Sequence, residues 1–152
     1  MKFYSSFERS PQDIESINEV LDSGFVSRGP VNVKFESLLS ESLGSSAVLS
    51  NSGTSSLFTA LHILSDHKSN VLVWTSPINF CSVAHVCSFL GLQLDFIDIN
   101  KHDFNICTLS LREKLIEARS IGKLPQILVV IHLGGVLQNM KEIHELSVEF
   151  GF

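Results

Sequence analysis

The chain has 152 residues, about the length of one domain. Hydrophobic residues make up 44% of it and charged residues only 18%, a composition that excludes an intrinsically disordered protein. The net charge is −5 and there is no basic run, so the sequence argues against a nucleic-acid partner and against an anionic membrane surface.

The cysteines and the first residues favour a cytoplasmic protein. Cys81, Cys87 and Cys107 form no C-x-x-C pair and no zinc-spaced cluster with histidine, so we expect no metal site. No charged and then apolar leader opens the chain. Residues 69–94 carry no formal charge, but Thr75-Ser76-Pro77-Ile78-Asn79 interrupts them. The stretch therefore predicts two buried elements and a turn, not a membrane span.

The first quarter of the chain predicts two helices joined by an extended segment. Ser10-Pro11-Gln12-Asp13 supplies an N-cap hydroxyl, a first-turn proline and an acid, and predicts a helix that runs to about residue 23 and ends at Gly24. After the extended residues 25–30, apolar residues at helical spacing predict a second helix that ends at Gly44.

From residue 47 onwards, short apolar runs alternate with helical patterns, as they do in a parallel sheet whose strands are joined by crossovers. The class predicted is therefore α/β. The predicted strands are residues 47–50, 71–75, 92–97 and 127–132. The predicted helices are residues 54–64, 80–90 and 109–121, with a last one that starts at Met140 and is capped by Asn139.

The segment Ser50-Asn51-Ser52-Gly53-Thr54-Ser55 links a predicted strand to a predicted helix. Such a turn presents backbone N–H groups and hydroxyls at a helix N-terminus, where the helix dipole favours an anion such as phosphate. Serine and threonine are also common helix caps, so a purely structural role stays open. The turn matches neither a Walker A loop nor G-x-G-x-x-G.

Two further turns follow predicted strands. In Trp74-Thr75-Ser76-Pro77-Ile78-Asn79-Phe80, the aromatic ring of Phe80 could stack on a flat ligand or could belong to the core. In Val130-Ile131-His132-Leu133-Gly134-Gly135, His132 could serve a ligand or only the structure. All three turns fall where parallel strands end, the edge at which α/β sheets bind ligands. No nucleophile elbow or serine triad accompanies them, so a hydrolase is not supported.

In this order and spacing, the segments resemble the N-terminal half of the large domain of the DegT/DnrJ/StrS sugar aminotransferases. The likeness extends over nearly the whole chain, and the Pro-Ile-x-Phe turn is similar to the subgroup that acts on 4-keto nucleotide sugars in pseudaminic acid synthesis. The resemblance implies part of a fold-type-I pyridoxal-phosphate transferase domain, mostly parallel sheet with helices on both faces. It divides residues 1–152 into an N-terminal helical arm, 1–44, and a sheet portion, 45–152. The segments that carry it are Ser27-Arg28-Gly29-Pro30, Phe35-Glu36, Ser52-Gly53-Thr54, Thr75-Ser76-Pro77-Ile78-Asn79-Phe80, Asp95-Phe96-Ile97-Asp98 and Val130-Ile131-His132-Leu133-Gly134.

The family's chemistry supplies the roles of the matched residues. The resemblance implies pyridoxal 5'-phosphate as cofactor, a keto nucleotide sugar as substrate, an amino acid such as glutamate as amino donor, and a homodimer. It places the cofactor phosphate on Ser52, Gly53, Thr54 and Ser55, and the cofactor ring against Phe80. It places the sugar nucleotide against Tyr4, Gly24, Phe25, Val26 and Ser27.

The chain also departs from the family pattern. Val136-Leu137-Gln138-Asn139 replaces the usual Gln-Pro-Ala-Asp, and the strand with the pyridine-pairing aspartate and the segment with the Schiff-base lysine are not in the sequence. The seven lysines lie outside any matching motif. We therefore expect no catalytic residue in this chain, a truncated domain that does not transaminate alone, and no neighbour for the strand predicted at residues 47–50.

Two other functions remain open from the sequence. One is a non-catalytic α/β module whose Ser-Gly-Thr turn binds a phosphorylated ligand or a partner subunit. The other is a related pyridoxal-phosphate enzyme, such as a sugar dehydratase, which would keep the fold and change the reaction.

Overall fold

The computed structural model describes residues 8–152, which divide into two compact units after Ser50. Tyr4 lies outside the described residues. No helix in the described part is both long enough and apolar enough to cross a lipid bilayer.

The first unit contains two helices whose ends follow from local sequence. Helix α1 spans Pro11–Asp22 and begins with a capping box, in which the Ser10 hydroxyl accepts from the Asp13 N–H and the Asp13 carboxylate accepts from the Ser10 N–H. Helix α2 spans Pro30–Leu43 and ends at Gly44, whose φ of +63° is the left-handed conformation that glycine adopts without strain. Both predicted helices are confirmed.

The strand predicted at residues 47–50 is wrong. These residues pair with no strand in the described part of the chain, and two of their N–H groups donate to side chains of α2. Ala47 donates to the Ser40 hydroxyl at 2.9 Å, and Leu49 donates to the Glu36 carboxylate at 2.9 Å. A short apolar run becomes a strand only when a neighbour takes its hydrogen bonds, and here the side chains of a helix take them.

The second unit is built on a parallel sheet of three strands: β1 spans Leu72–Thr75, β2 spans Gln93–Phe96 and β3 spans Ile127–Val129. The strand order is β2-β1-β3, and Val73 of the central strand lies opposite both Leu94 and Ile127. The last strand is three residues shorter than predicted. Beyond it, the Ile131 carbonyl accepts a hydrogen bond from the Gln138 side chain, and a short 3-10 turn follows at Leu133–Gly135.

Four helices complete this unit, each within about two residues of its predicted start. Helix α4 begins after Phe80, so that Phe80 belongs to the turn before it. The bounds are Gly53–Leu64 for α3, Ser82–Leu90 for α4, Thr108–Ser120 for α5 and Met140–Phe150 for α6.

The sheet is covered on both faces, as predicted. Successive residues of a strand point to opposite faces, and the central strand shows this with Val73 and Trp74. Val73 packs with Leu61 of α3 and Val83 of α4, whereas Trp74 packs against the layer formed by α5 and α6. This three-layer arrangement fixes the loops after β1 and β3, in which Phe80 and His132 lie. The turn at residues 52–55 follows residues 47–50, which form no strand, so the expectation that all three turns end strands holds for two of them.

Candidate functional site

The turn at the start of α3 is built as a helix cap. Ser52 is the N-cap residue, and its hydroxyl accepts from the Ser55 N–H at 3.2 Å and lies 3.0 Å from the Ser55 hydroxyl. The first N–H groups of a helix have no partner within it, and Gly53 and Thr54 occupy these positions. Both residues are exposed, so the turn presents two backbone donors and several hydroxyls to solvent.

The electrostatics of this turn favour an anion. Helix α3 has no acidic residue in its first turn, and the partial positive charge of the helix N-terminus is therefore unopposed there. The observed Ser52 cap also bears out the structural role that the sequence left open. The two roles are compatible, because the cap uses the Ser55 N–H and leaves those of Gly53 and Thr54 available.

Phe80 lies in the turn between β1 and α4 and is 76% exposed. Helical spacing allowed Phe80 to belong to the core as part of a helix. This alternative is wrong, because α4 starts two residues later, at Ser82. Two hydrogen bonds hold the turn: the Thr75 hydroxyl donates to the Val129 carbonyl at 3.0 Å, and the Asn79 amide donates to the Ser76 carbonyl at 2.6 Å. An exposed aromatic ring on a fixed turn is available for stacking, which stays a prediction.

His132 has a structural contact that the sequence did not predict. Its Nδ1 accepts from the Gln138 N–H at 3.1 Å. The buried Gln138 side chain accepts from the Ile106 N–H and donates to the Ile131 carbonyl. Asn139 caps α6 through the Glu142 N–H, as predicted. Sequence reasoning missed Gln138, since a single glutamine in a polar loop carries no signal of burial.

The predicted sugar-nucleotide residues Phe25, Val26 and Ser27 line a groove in the first unit, together with side chains of α1 and α2. The groove has a volume of about 730 Å³, within the range of small-molecule sites. Gly24 ends α1 with a φ of +74° but is not among the lining residues. The contact of residues 24–27 with a nucleotide sugar stays a prediction.

Two cysteine thiols have shifted pKa values. Burial raises the pKa of Cys87. Hydrogen bonds from the Ser110 side chain and backbone lower the pKa of Cys107, which precedes α5. Neither cysteine belongs to the turns at residues 52–55 or 76–80, and those turns contain no ionisable side chain. No side chain of these turns therefore carries a charge that could attract or repel a ligand.

A parallel sheet between two helical layers is the arrangement of the fold-type-I pyridoxal-phosphate aminotransferases, which are the structural neighbours of this chain. The sequence profile of the DegT/DnrJ/EryC1/StrS aminotransferase family matches residues 8–152. The chain belongs to this family.

Two similar proteins illustrate the relationship by sequence. The spore coat polysaccharide biosynthesis protein SpsC of Bacillus subtilis is 30% identical over 141 residues, which are 92% of this chain and 34% of SpsC. The UDP-4-amino-4,6-dideoxy-N-acetyl-beta-L-altrosamine transaminase of Helicobacter pylori is 36% identical over 112 residues, which are 72% of this chain and 29% of that enzyme.

Solved structures show the same relationship in three dimensions. Helicobacter pylori PseC, an aminotransferase involved in the biosynthesis of pseudoaminic acid, superposes with a TM-score of 0.84 at 27% identity, over 99% of this chain and 39% of PseC. The E. coli GDP-4-keto-6-deoxy-D-mannose-3-dehydratase with bound hydrated PLP superposes with a TM-score of 0.80 over 94% of this chain and 37% of that enzyme. At 20% identity, that second likeness shows the fold alone. The chain spans about a third of the length of the curated relatives it matches.

Proposed function

We propose that this chain forms the cofactor-phosphate part of a pyridoxal-phosphate aminotransferase that transfers an amino group from an amino acid to a keto nucleotide sugar. The exposed N-terminus of α3 carries the proposal, since it presents the N–H groups of Gly53 and Thr54 beside the hydroxyls of Ser52 and Ser55. The transaminase activity of the Helicobacter pylori relative supports the reaction class.

In this proposal the turn at the start of α3 holds the phosphate and Phe80 contacts one face of the ring. A phosphate at the α3 N-terminus would accept hydrogen bonds from backbone donors and hydroxyls, with no acidic side chain in the first turn to repel it. Phe80 would contact the ring, which it can do because its side chain is exposed on a hydrogen-bonded turn. When bound, pyridoxal phosphate supplies the electron sink for amino-group transfer. The role of this chain's residues is to bind and orient that group.

The substrate side of the proposal rests on the first unit. Phe25, Val26 and Ser27 line an apolar groove large enough for part of a nucleotide sugar. The predicted role of Tyr4 belongs to the same side. Assembly into a homodimer is part of the proposal, in keeping with the family.

Removal of the Thr54 hydroxyl tests the phosphate site. We expect Thr54→Val to weaken binding of pyridoxal phosphate by about tenfold or more, because a hydrogen bond to a charged group contributes about 1.5–3 kcal/mol. Pyridoxal, which lacks the phosphate, should bind wild type and variant equally. Binding is measured by equilibrium dialysis, and borohydride reduction followed by intact mass counts any covalent lysine adducts.

Thr108→Val is the matched control, because Thr108 is the first residue of α5 and the substitution removes the same hydroxyl from another helix N-terminus. It should bind pyridoxal phosphate as wild type does. The proposed site would be contradicted if Thr54→Val bound pyridoxal phosphate as tightly as wild type does. It would also be contradicted if wild type bound pyridoxal as tightly as pyridoxal phosphate. Specific phosphate binding with no preference for the pyridine ring would instead favour a module that binds other phosphorylated ligands.

A further inference from the structure

Two histidine side chains meet at the C-terminal end of α3. His62 lies in the last turn of the helix and His67 in the loop that follows it. His62 Nε2 and His67 Nδ1 are 2.8 Å apart, and the ring centroids are 4.3 Å apart with an angle of 72° between the planes. At this distance one ring nitrogen donates a hydrogen bond to the other, and the tautomers of the two rings decide which one donates. A metal ion would replace the shared proton.

The surrounding structure holds both rings in place. The loop turns back through two non-glycine residues in the left-handed region, Asp66 with φ 53° and His67 with φ 58°. The His67 N–H donates to the His62 carbonyl at 3.3 Å, and the buried Ser65 hydroxyl donates to the same carbonyl at 3.1 Å. The Phe58 ring stacks on His62, with a centroid distance of 5.9 Å. The pair is therefore fixed by backbone and side-chain contacts together.

The local charges favour a cation. The last carbonyl groups of a helix carry partial negative charge, and they lie at this end of α3. Asp66, the nearest acid in sequence, forms an exposed ion pair with Lys68 at an N–O distance of 2.6 Å, so a carboxylate lies beside the Lys68 charge.

The separation of the two nitrogens fits a metal chelate. Two imidazole nitrogens bound to one ion at 2.0–2.1 Å lie roughly 2.8 to 3.4 Å apart, for angles between the square-planar and tetrahedral values. We propose that His62 Nε2 and His67 Nδ1 together bind a divalent transition-metal ion, such as Zn²⁺ or Cu²⁺. Imidazole ligands select these ions over Mg²⁺ and Ca²⁺, which prefer oxygen.

The site is open on its remaining coordination positions. In residues 8–152, no group of three or more His, Cys, Asp or Glu side chains is arranged to hold a metal ion. Water therefore completes the coordination, and the ion exchanges with solvent. Its effect is to close the loop between residues 62 and 67, which stabilises the end of α3 by mass action. The site lies at the opposite end of α3 from the turn at residues 52–55 and does not depend on the proposed function.

Zinc titration of the 152-residue chain tests this proposal. We expect one Zn²⁺ to bind by isothermal titration calorimetry and to raise the unfolding temperature, and Mg²⁺ to do neither. His62→Gln keeps a good helix former, and His67→Asn keeps a residue that tolerates the left-handed conformation. Each should weaken zinc binding by about tenfold or more, since even the loss of an outer-shell partner costs that much. His85→Gln, on the exposed part of α4, is the matched control and should bind zinc as wild type does.

A second measurement avoids substitution. Substoichiometric Cu²⁺ broadens the NMR signals of residues that ligate it, and we expect the loss of the His62 and His67 ring signals before those of His85, His102, His132 and His144. Uniform broadening of the histidines would overturn the proposal. So would zinc affinity that is unchanged in both His62→Gln and His67→Asn.

Discussion

Gln138 joins three segments of the second unit through its side chain and its own backbone. The side-chain oxygen accepts from the Ile106 N–H at 3.0 Å, the side-chain nitrogen donates to the Ile131 carbonyl at 2.7 Å, and the backbone N–H donates to His132 at 3.1 Å. Gln138 is only 6% exposed, so none of these groups has water as an easy alternative partner. A buried amide of this kind specifies one arrangement of the loop before α6.

Replacement of this amide should destabilise the chain. We expect Gln138→Met, which keeps a similar volume, to lower the free energy of unfolding by about 2–4 kcal/mol, because it leaves the Ile106 N–H and the Ile131 carbonyl without partners. Urea unfolding measures the change. Gln93→Met, on the exposed side of β2, should stay within about 0.5 kcal/mol of wild type. A similar loss in both variants would show that the buried hydrogen bonds of Gln138 contribute nothing specific.

At the scale of elements, Lys114 ties β2 to α5. Its ammonium lies 2.8 Å from the Asp95 carboxylate, donates to the Phe96 carbonyl and sits 4.7 Å from the centre of the Trp74 ring. Burial raises the pKa of Asp95, but the hydrogen bonds from Lys114 and from the Phe96 N–H outweigh it, and the net pKa is below the ordinary value. A carboxyl whose pKa is lowered by folding stabilises the fold above its unfolded-state pKa and loses that contribution as the pH falls through the folded-state pKa.

The pH dependence of the ion pair between Lys114 and Asp95 can be measured. We expect Asp95→Asn to lower the free energy of unfolding at pH 7 by about 0.5 kcal/mol, as is usual for a partly exposed ion pair. The difference from wild type should begin to shrink as the pH falls below about 3.8, the ordinary value for Asp, and should disappear as the pH falls through the lower pKa of the folded chain. Urea unfolding between pH 7 and pH 3 measures the loss of unfolding free energy at pH 7 and its change with pH. Glu117→Gln on α5 controls for the loss of one surface carboxylate. A difference that persists undiminished at pH 3 would contradict the role of the carboxylate charge.

The elements predicted best are those whose ends are marked by local chemistry. Ser10 with Asp13, Ser52 and Asn139 each cap a helix where the sequence placed one, because a cap depends on residues three positions away at most. The segment 47–50 was not predictable in the same way. Its apolar pattern suits a strand, but pairing depends on residues distant in sequence, and the α2 side chains of Ser40 and Glu36 take its N–H groups.

The same difference between local and long-range signals explains which site residues could be predicted. The turn at residues 52–55 is a stretch of consecutive residues at a helix start, so the sequence could indicate its position, and its binding of an anion stays a prediction. Phe80 could not be assigned to core or surface from spacing, since the answer depended on where α4 begins. The His62 and His67 pair was not predicted at all, because it requires a left-handed loop that brings residues five apart into contact.

At the scale of the whole molecule, the two units differ in how they are stabilised. Every buried hydrophobic residue in the described part of the chain lies between Leu61 and Phe150, in the second unit. Helices α1 and α2 contain no fully buried residue. Apolar burial is the main favourable term in folding, so the second unit holds most of the stability.

Hydrogen exchange should separate the two units. We expect the amides of α1 and α2 to exchange through local opening with low free energy, and those of β1, α5 and α6 to exchange only at free energies close to global unfolding. NMR or mass spectrometry of the 152-residue chain gives these values segment by segment. Protection of α1 and α2 equal to that of β1 would show that the chain unfolds as one cooperative unit.

The position of the chain's one tryptophan makes this difference visible by optical methods. Trp74 is 1% exposed, in the central strand, under the Lys114 ammonium. Its indole emission therefore reports the solvation of the second unit, in which it lies, whereas far-ultraviolet circular dichroism sums the helices of both units. A denaturation curve followed by fluorescence alone would record only the unfolding of the second unit. The difference between the midpoints of the fluorescence and circular-dichroism curves then measures how much less stable the helices α1 and α2 are.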